Sequence, residues 1–314
     1  MKIAASQLSA VWLDARATTD LVCDWIQRAA KEGASLVVFG ETFLPGYPFW
    51  VDYRGASGFF DEVQREVFAR YLEAAVRADG PELAQIAEVA KQAGIYVYLG
   101  VAERGVGNAS GTVFCTLVAV DPRDGVVNMH RKLMPTHGER LVWGRGDGHG
   151  LRVQELPGGW HVGGLNCWEN WMPQARHAIY AGGAELFIAL WPGAVRNTVD
   201  ITRFTAIEGR CYVLSVGATL RPEDLPVDFP LGETGAPQGE PRFDGGTALA
   251  GPTGDWIIEP VANENGLFTA ELDLTEVRRA RQLFDATGHY SRPDVFRVEV
   301  NRRRLDAAEF VDEG

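Results

Sequence analysis

The chain has 314 residues, 46% hydrophobic and 23% charged, the balance of a soluble globular protein with room for one large domain or two ordinary ones. Thirty lysines and arginines against 42 acidic residues give a formal net charge of −12 and a pI near 5.0. That field argues against general nucleic-acid binding and against docking on anionic lipid. The N-terminal stretch meets Asp14 early, and no run approaches the roughly 18 apolar residues of a membrane-spanning helix. The four cysteines, at 23, 115, 167 and 211, form no CxxC pair. Neither a zinc ribbon nor a disulfide framework is suggested, and a reducing cytoplasm is the simplest location.

In chain order, KIAASQL (2–8) reads as a strand, and TTDLVCDWIQRAAKEG (18–33) carries its apolar residues at helical spacing and stops at Gly33. SLVVFG (35–40) is a short apolar run fit for a buried strand. PELAQIAEVAKQAG (81–94) is a helix with Pro81 at its start and Gly94 past its end. IYVYLGVAE (95–103) and TVFCTLVAV (112–120) are strands, and the chain turns through DPRDG (121–125) into the strand VVNMHRK. The second half repeats the theme with WHVGGLN (160–166), a helix over 172–183, ELFIAL (185–190), a helix over 197–209 and CYVLSVGAT (211–219). TALAGP (247–252), DWIIEP (255–260) and GLFTAELD (266–273) close the sheet region. This alternation predicts an α/β layered domain, and the short turns between consecutive strands make its sheets mixed.

The stretch 221–245 holds five prolines and several glycines and is long for a plain connection. It reads either as a surface loop near a site or as a subunit contact. A domain spanning 1–285 is followed by an extension, 286–314, that leaves the repeating pattern and is either a surface extension or an oligomer contact. GRGDGHG (144–150) lacks the G-x-G-x-x-G spacing and the following helix of a dinucleotide site and reads as a flexible turn. The six histidines show no metal-ligand spacing. His130 and His137 lie near Lys132 and read as core or surface residues, or as groups behind a site.

Three polar residues directly follow hydrophobic strands: Glu41 after SLVVFG, Lys132 after VVNMHR and Cys167 after WHVGGLN. Taken singly, each has a plain alternative: a solvated loop carboxylate, a surface lysine, a small core thiol. Taken together they point to one cleft, because ligands of open α/β sheets bind outside the carboxyl ends of strands. Their flanks, ETFLPGYP, KLMPTHGER and CWENWMP, are stiffened by proline and aromatic residues. The chemistry is coherent. A thiolate attacks an electrophilic carbon bonded to nitrogen, a carboxylate takes and returns protons, and an ammonium faces developing charge.

The segments FGETFLPGYP, HRKLMPTHGER and GLNCWENWMP together resemble the nitrilase superfamily. The Trp-Glu pair after the cysteine is similar to its true nitrilase branch rather than to its amidase or carbamoylase branches. The resemblance implies an αββα sandwich that pairs into an αββα–αββα homodimer and often into larger homo-oligomers. It implies conversion of a small-molecule nitrile and two waters to a carboxylic acid and ammonia, with no metal and no organic cofactor. Position by position, it implies that Cys167 is the nucleophile, Glu41 the general base and acid, and Lys132 the stabiliser of the tetrahedral species. Glu139 would orient the lysine or the substrate, and the Trp168 backbone N–H is a candidate donor. Asn170 stands where many members carry histidine and others asparagine, which bears on substrate preference. Tyr47, Phe49, Trp50 and Tyr53 follow Glu41, and Trp168, Trp171 and Trp191 lie near Cys167 or end a strand. Each of these aromatics has an ordinary core or interface role as its alternative. Trp168 and Trp191 are the leading candidates for pocket walls, with Tyr47, Trp50 and Asn170 behind them, and such walls suit an aromatic or arylaliphatic nitrile. The competing readings are an amidase, carbamoylase or cyanide-hydrating enzyme of the same superfamily, and a catalytically silent scaffold.

Overall fold

The computed structural model describes residues 1–52, 58–226, 228, 229, 243–305 and 308. In chain order the elements are β1 (Lys2–Gln7), α1 (Ala15–Lys31), β2 (Leu36–Phe39), α2 (Glu62–Ala74), α3 (Pro81–Ala93), β3 (Tyr96–Arg104), β4 (Val113–Asp121) and β5 (Gly125–Arg131). The second half comprises β6 (Gln154–Leu156), β7 (Trp160–Asn166), α4 (Pro173–Ala181), β8 (Leu186–Trp191), α5 (Val195–Gly209), β9 (Tyr212–Gly217) and β10 (Thr219–Leu220). After it come β11 (Phe243–Ala250), β12 (Trp256–Ala262), β13 (Gly266–Glu271) and α6 (Leu274–Leu283).

The strands form two mixed sheets. In the first, ordered β13-β1-β2-β3-β4-β5, the trio β1, β2, β3 is parallel and the outer strands join antiparallel. In the second, ordered β10-β11-β9-β8-β7-β6 with β12 on β11, the trio β7, β8, β9 is parallel. The two-residue period of a strand splits each sheet into two faces. Leu36 and Val38 of β2 turn toward Ile188, Leu190, Leu214 and Val216 of the second sheet, making the central core. Val37 and Phe39 turn the other way, against Val22, Ile26, Leu83 and Ile86 of α1 and α3. On the far side, Phe187, Ala189 and Trp191 pack against Ala175, Ile179, Ile201 and Ala206 of α4 and α5. The layering is therefore αββα.

Two features of this frame position the site. The parallel trios put the carboxyl ends of β2 and β7 at one end of the molecule. Because β4 and β5 are each antiparallel to their predecessor, β5 runs with β3 and delivers its carboxyl end there too. The loop after β2 then presses on β3. A Cβ on Gly100 would stand 2.3 Å from the Gly40 carbonyl oxygen and 2.6 Å from Glu41 Cα, so only glycine lets the Glu41 backbone lie this close.

Some boundaries differ from the sequence expectations. The first helix begins three residues earlier than expected, because the Asp14 side chain accepts the Ala17 N–H at 2.8 Å and caps it. The expected strand 211–219 is two pieces, β9 and β10. Residues 62–74 and 274–283 are helices that the sequence pattern left unassigned. The segment 286–305 carries no helix or strand and folds back on its own domain, where Arg304 pairs with Asp147 at 3.1 Å and the Leu305 N–H donates to the same carboxylate at 3.0 Å. Of the 221–245 loop, residue 227 and residues 230–242 lie outside the described residues. Its near end makes a short turn, Pro222–Asp224, in which Asp224 accepts from the Ser9 hydroxyl at 2.6 Å. No helix among the described residues is long and apolar enough to cross a membrane.

Candidate active site

The three strand ends meet. Glu41 follows β2, and its N–H donates to the Trp191 carbonyl at the end of β8, 3.0 Å away, stitching the two sheets together at this point. Lys132 follows β5; its N–H donates to the Cys115 carbonyl of β4 at 2.7 Å and its own carbonyl accepts the Gly146 N–H at 2.9 Å. Cys167 follows β7. All three are buried, as is Glu139. Lys132 Nζ donates to Glu41 Oε1 at 2.8 Å and to Glu139 Oε2 at 2.7 Å. The Cys167 thiol, a Glu41 oxygen and a Glu139 oxygen all lie within 4.8 Å of one another. Two carboxylates and a thiol at this spacing also have the composition of a cation site, but the ammonium of Lys132 already stands between the carboxylates.

Two turns of the same design hold the cluster. Thr136-His137-Gly138-Glu139 and Asn166-Cys167-Trp168-Glu169 each open a 3₁₀ turn, over His137–Leu141 and Cys167–Trp171. In each, the glutamate reaches back to the backbone N–H three residues earlier, Glu139 Oε2 to Thr136 N at 2.6 Å and Glu169 Oε2 to Asn166 N at 2.9 Å. In each, the second residue takes a left-handed backbone, φ 43° at His137 and φ 47° at Cys167, which costs a non-glycine residue free energy and lifts the cysteine out of the line of β7. Each glutamate has a second task. Glu139 accepts from Lys132 and from the Tyr47 hydroxyl at 2.8 Å. Glu169 accepts the Leu133 N–H at 2.7 Å and contacts His130 Nε2 at 3.0 Å, tying the lysine loop to the cysteine turn.

Exchanging Glu169 for glutamine turns one of those acceptors into a donor facing N–H groups. The loss expected for such a buried mismatch is about 1–3 kcal/mol of stability. Chemical denaturation should report it, and an unchanged midpoint would mean that the carboxylate is not holding the two loops.

Charges in the cluster are shifted by burial and by each other. Burial raises the Glu41 carboxyl to about 7 against the pull of Lys132, with the facing Glu139 adding to the rise. Burial, then Glu41, pushes the Cys167 thiol well above its ordinary value, and Lys132 and the Trp168 N–H oppose that. Burial alone would discharge Lys132, but Cys167, Glu41 and Glu139 around it hold it charged, with its pKa well above ordinary. At Glu169 burial again works against charge; His130 and the two amides outweigh it and hold the carboxyl below its usual range. The resting cluster therefore pairs a protonated thiol with a carboxyl that titrates near neutrality, beside a permanent cation.

The structure brings Glu41, Lys132, Glu139, Cys167 and Tyr47 together. Tyr47 also lines a cavity of about 20 Å³ beside Glu41, with Trp12, Phe43, Pro192 and Phe243. The remaining pocket candidates sit elsewhere. Trp191 is enclosed in the apolar cluster that holds Cys167, and its indole N–H is spent on the Ser215 hydroxyl at 3.2 Å. Trp50 is packed edge-on to Tyr71 and Trp12 in the interior. Asn170 is buried under the cysteine turn, its amide donating to the Cys167 carbonyl at 2.7 Å. Trp168 and Trp171 are exposed, at 54% and 45%. Tyr53 lies outside the described residues. GRGDGHG contains a packed turn rather than a loose one, because a Cβ on Gly150 would stand 2.2 Å from His130 Cα.

Glu169 and Cys115 carry no site reading in the sequence, and His130 reads there as a core or surface residue or as a group behind a site. Glu169 and Glu139 share an N/T-x-x-E spacing that signals a capping box, and that spacing would have placed Glu169 beside the cysteine turn. His130 is the strand neighbour that Glu169 contacts. Cys115, whose thiol donates to Glu41 Oε1 at 3.3 Å, had no local signal, since its partner is 74 residues away.

A model of the carbon-nitrogen hydrolase family matches residues 2–282. Among curated relatives, Nitrilase 1 of Arabidopsis thaliana is 35% identical over 316 residues, covering 99% of this chain and 90% of the relative. The aliphatic nitrilase of Sinorhizobium fredii (strain HH103) is 37% identical over 306 residues, covering 98% of this chain and 97% of the relative. Among solved structures, an amidase from Nesterenkonia sp. AN1 with acrylamide added at its active-site cysteine superposes with a TM-score of 0.66. It is 21% identical and covers 90% of this chain and 97% of that one, a likeness of fold.

Proposed function

The chain belongs to the carbon-nitrogen hydrolase family, and on that premise we propose that it is a nitrilase, hydrolysing an organic nitrile to a carboxylic acid and ammonia through a covalent cysteine intermediate. The observation that carries this reading is the buried cluster in which a thiol and two carboxylates lie within 4.8 Å of one another around the Lys132 ammonium. The names of the curated relatives support the choice of a nitrile over an amide.

In the proposed reaction Glu41 takes the Cys167 proton, and the thiolate adds to the nitrile carbon. A C–S bond forms, one C–N π pair moves to nitrogen, and nitrogen takes the proton back from Glu41, giving a thioimidate. A water that loses its proton to Glu41 adds to the same carbon. Lys132 and the Trp168 N–H face the charge of this tetrahedral species. Nitrogen takes that proton from Glu41 and becomes an amine. The amine then takes the hydroxyl proton, relayed through Glu41, the C–N bond breaks with its electron pair leaving on ammonia, and the C=O bond of a thioester forms. A second water, activated in the same way, releases the carboxylic acid and returns the thiol. If sulfur leaves the first tetrahedral species in place of nitrogen, the product is an amide.

We place the substrate among aromatic or arylaliphatic nitriles, because Trp12, Phe43, Tyr47 and Phe243 form the wall beside Glu41. The cavity there has room for about one water, so small aliphatic nitriles are the necessary comparison. We also read the protein as a cytoplasmic homodimer or larger homo-oligomer; the exposed apolar side chains Trp171, Phe204 and Ile207 support self-association, and four free cysteines suit a reducing compartment.

The test is a panel of aliphatic, aryl and arylaliphatic nitriles with their matched amides, assayed for acid and ammonia with wild type and Cys167→Ala. Acid and ammonia from a nitrile, abolished in the variant, is the expected result. Turnover of amides alone would move the chain to the amidase branch, and activity surviving in Cys167→Ala would end the thiol mechanism.

A further inference from the structure

A second thiol touches the base. Cys115, in β4, is buried, and its Sγ–H donates to Glu41 Oε1 at 3.3 Å. That oxygen already receives the Lys132 ammonium at 2.8 Å. The other carboxylate oxygen, Oε2, is buried and has no hydrogen-bond partner. Cys115 also takes the Lys132 N–H on its carbonyl at 2.7 Å, so a single residue fixes both the backbone of the cation and the side chain of the carboxylate.

We propose that Cys115 is a positioning residue for Glu41: with Lys132 it occupies Oε1, fixes the rotation of the carboxylate and leaves Oε2 as the oxygen that exchanges protons with Cys167 and water. This rests on the reading of Glu41 as the general base. The thiol suits the task. Burial, then the neighbouring Glu41, raises its pKa well above the ordinary value, so it remains an S–H donor over the working range. It favours the charged form of Glu41, in the same direction as Lys132 and against burial and Glu139. The other titratable groups facing the cluster are Tyr47, Tyr71 and Cys167, none of which hydrogen-bonds Oε1 among the described residues.

A serine keeps the donor; a valine of similar volume does not. Cys115→Ser and Cys115→Val are compared with wild type and Glu41→Gln in two assays. The first is the rate of Cys167 alkylation by iodoacetamide against pH, read on the Cys167 peptide by mass spectrometry, which requires no nitrile. The second is kcat and KM on the best nitrile. Thermal unfolding checks folding, and Cys115→Ala replaces the valine variant if that does not fold.

The expected result for Cys115→Val is an acid limb of alkylation moved to higher pH and kcat down about fivefold to tenfold, with KM changed less than about twofold. Cys115→Ser should stay within about twofold of wild type in kcat with its limb unmoved. The sign follows from the donor: removing it disfavours the carboxylate, so Glu41 gives up its proton only at higher pH. A valine variant equal to wild type would reduce Cys115 to a space-filler. Serine and valine variants equally slow with unmoved limbs would reduce it to packing specific to sulfur. Either outcome overturns the proposal. If Glu41→Gln leaves the alkylation profile unchanged, the base assignment itself fails. If the wild type alkylates normally but turns over no nitrile, only the substrate reading fails, and the limbs still decide the role of Cys115.

Discussion

Glu41→Gln should lose on the order of 10³-fold or more in kcat/KM, near the upper part of what a positioned general base supplies. Glutamine fills the same space and can still accept from Lys132 and Cys115 through its carbonyl oxygen, so the local packing survives. The ability to take a proton does not. The wild type should show an acid limb with a midpoint near 7, because burial raises the Glu41 carboxyl to about that value. The working form is the carboxylate, so activity climbs as pH rises through the midpoint. In Glu41→Gln that limb should vanish along with most of the rate. The Cys167 thiol is pushed up by burial and by Glu41, and the other carboxylate of the cluster, Glu139, is already engaged by Lys132, the Thr136 N–H and the Tyr47 hydroxyl. The check is kcat/KM from pH 5 to 9 on one nitrile. A variant that keeps a tenth of the wild-type rate and the same limb would assign the proton transfer to another group.

Much of this site is legible from strand ends. Glu41, Lys132 and Cys167 each follow a run whose apolar residues mark a buried strand, and the parallel arrangement of β2, β5 and β7 turns three such positions into one cluster. The layered fold was readable for the same reason: strands such as SLVVFG bury both faces, a pattern that polar neighbours cannot disguise. The missing helices lack that contrast. Helix α2 buries only Val67 and Tyr71, and α6 only Val277 and Ala280, so each has too thin an apolar stripe to stand out. The surroundings of the pocket candidates are harder to read from sequence. An aromatic side chain after a strand can face solvent, as Trp168 does, or fill the apolar interior, as Trp191 does, and residue type alone does not distinguish the two. Cys115 marks the sharpest boundary. It reads as one more buried residue of β4, and its contact with Glu41 exists only once β3 has placed the β2 loop over the sheet.

Lys132→Met separates what the ammonium does for the fold from what it does for the chemistry. Methionine keeps the length and the apolar stem but leaves Glu41 and Glu139 buried, close together and without their shared cation. Removing one partner of a buried ion pair typically costs about 3–5 kcal/mol, because the remaining charge has lost its solvation and its counter-ion. Part of that is avoided if a carboxyl takes up a proton, and this fixes the pH dependence. In the wild type Lys132 pulls the Glu41 pKa down against burial. Without it the folded-state pKa rises further above the unfolded value of about 4.3. An acid raised on folding destabilises the fold at pH values above its unfolded pKa, and the cost disappears as pH falls below it. The unfolded value is common to both proteins and cancels in the difference. The stability gap should therefore be widest at pH 8, narrow as pH falls to about 7, where wild-type Glu41 also takes up its proton, and stay level from there toward pH 5, as read by denaturant midpoints. Activity should fall by on the order of 10²-fold to 10³-fold, the usual loss for one preorganised charge at a developing anion. Adding Glu139→Gln to Lys132→Met removes one of the two facing carboxyls. The double variant should regain much of the stability and none of the rate. If its rate returned with its stability, Lys132 would be a structural counter-ion and the transition state would find its positive charge elsewhere. If the single variant were as stable as wild type at pH 8, the Lys132 ammonium would not be what compensates the buried Glu41 carboxylate.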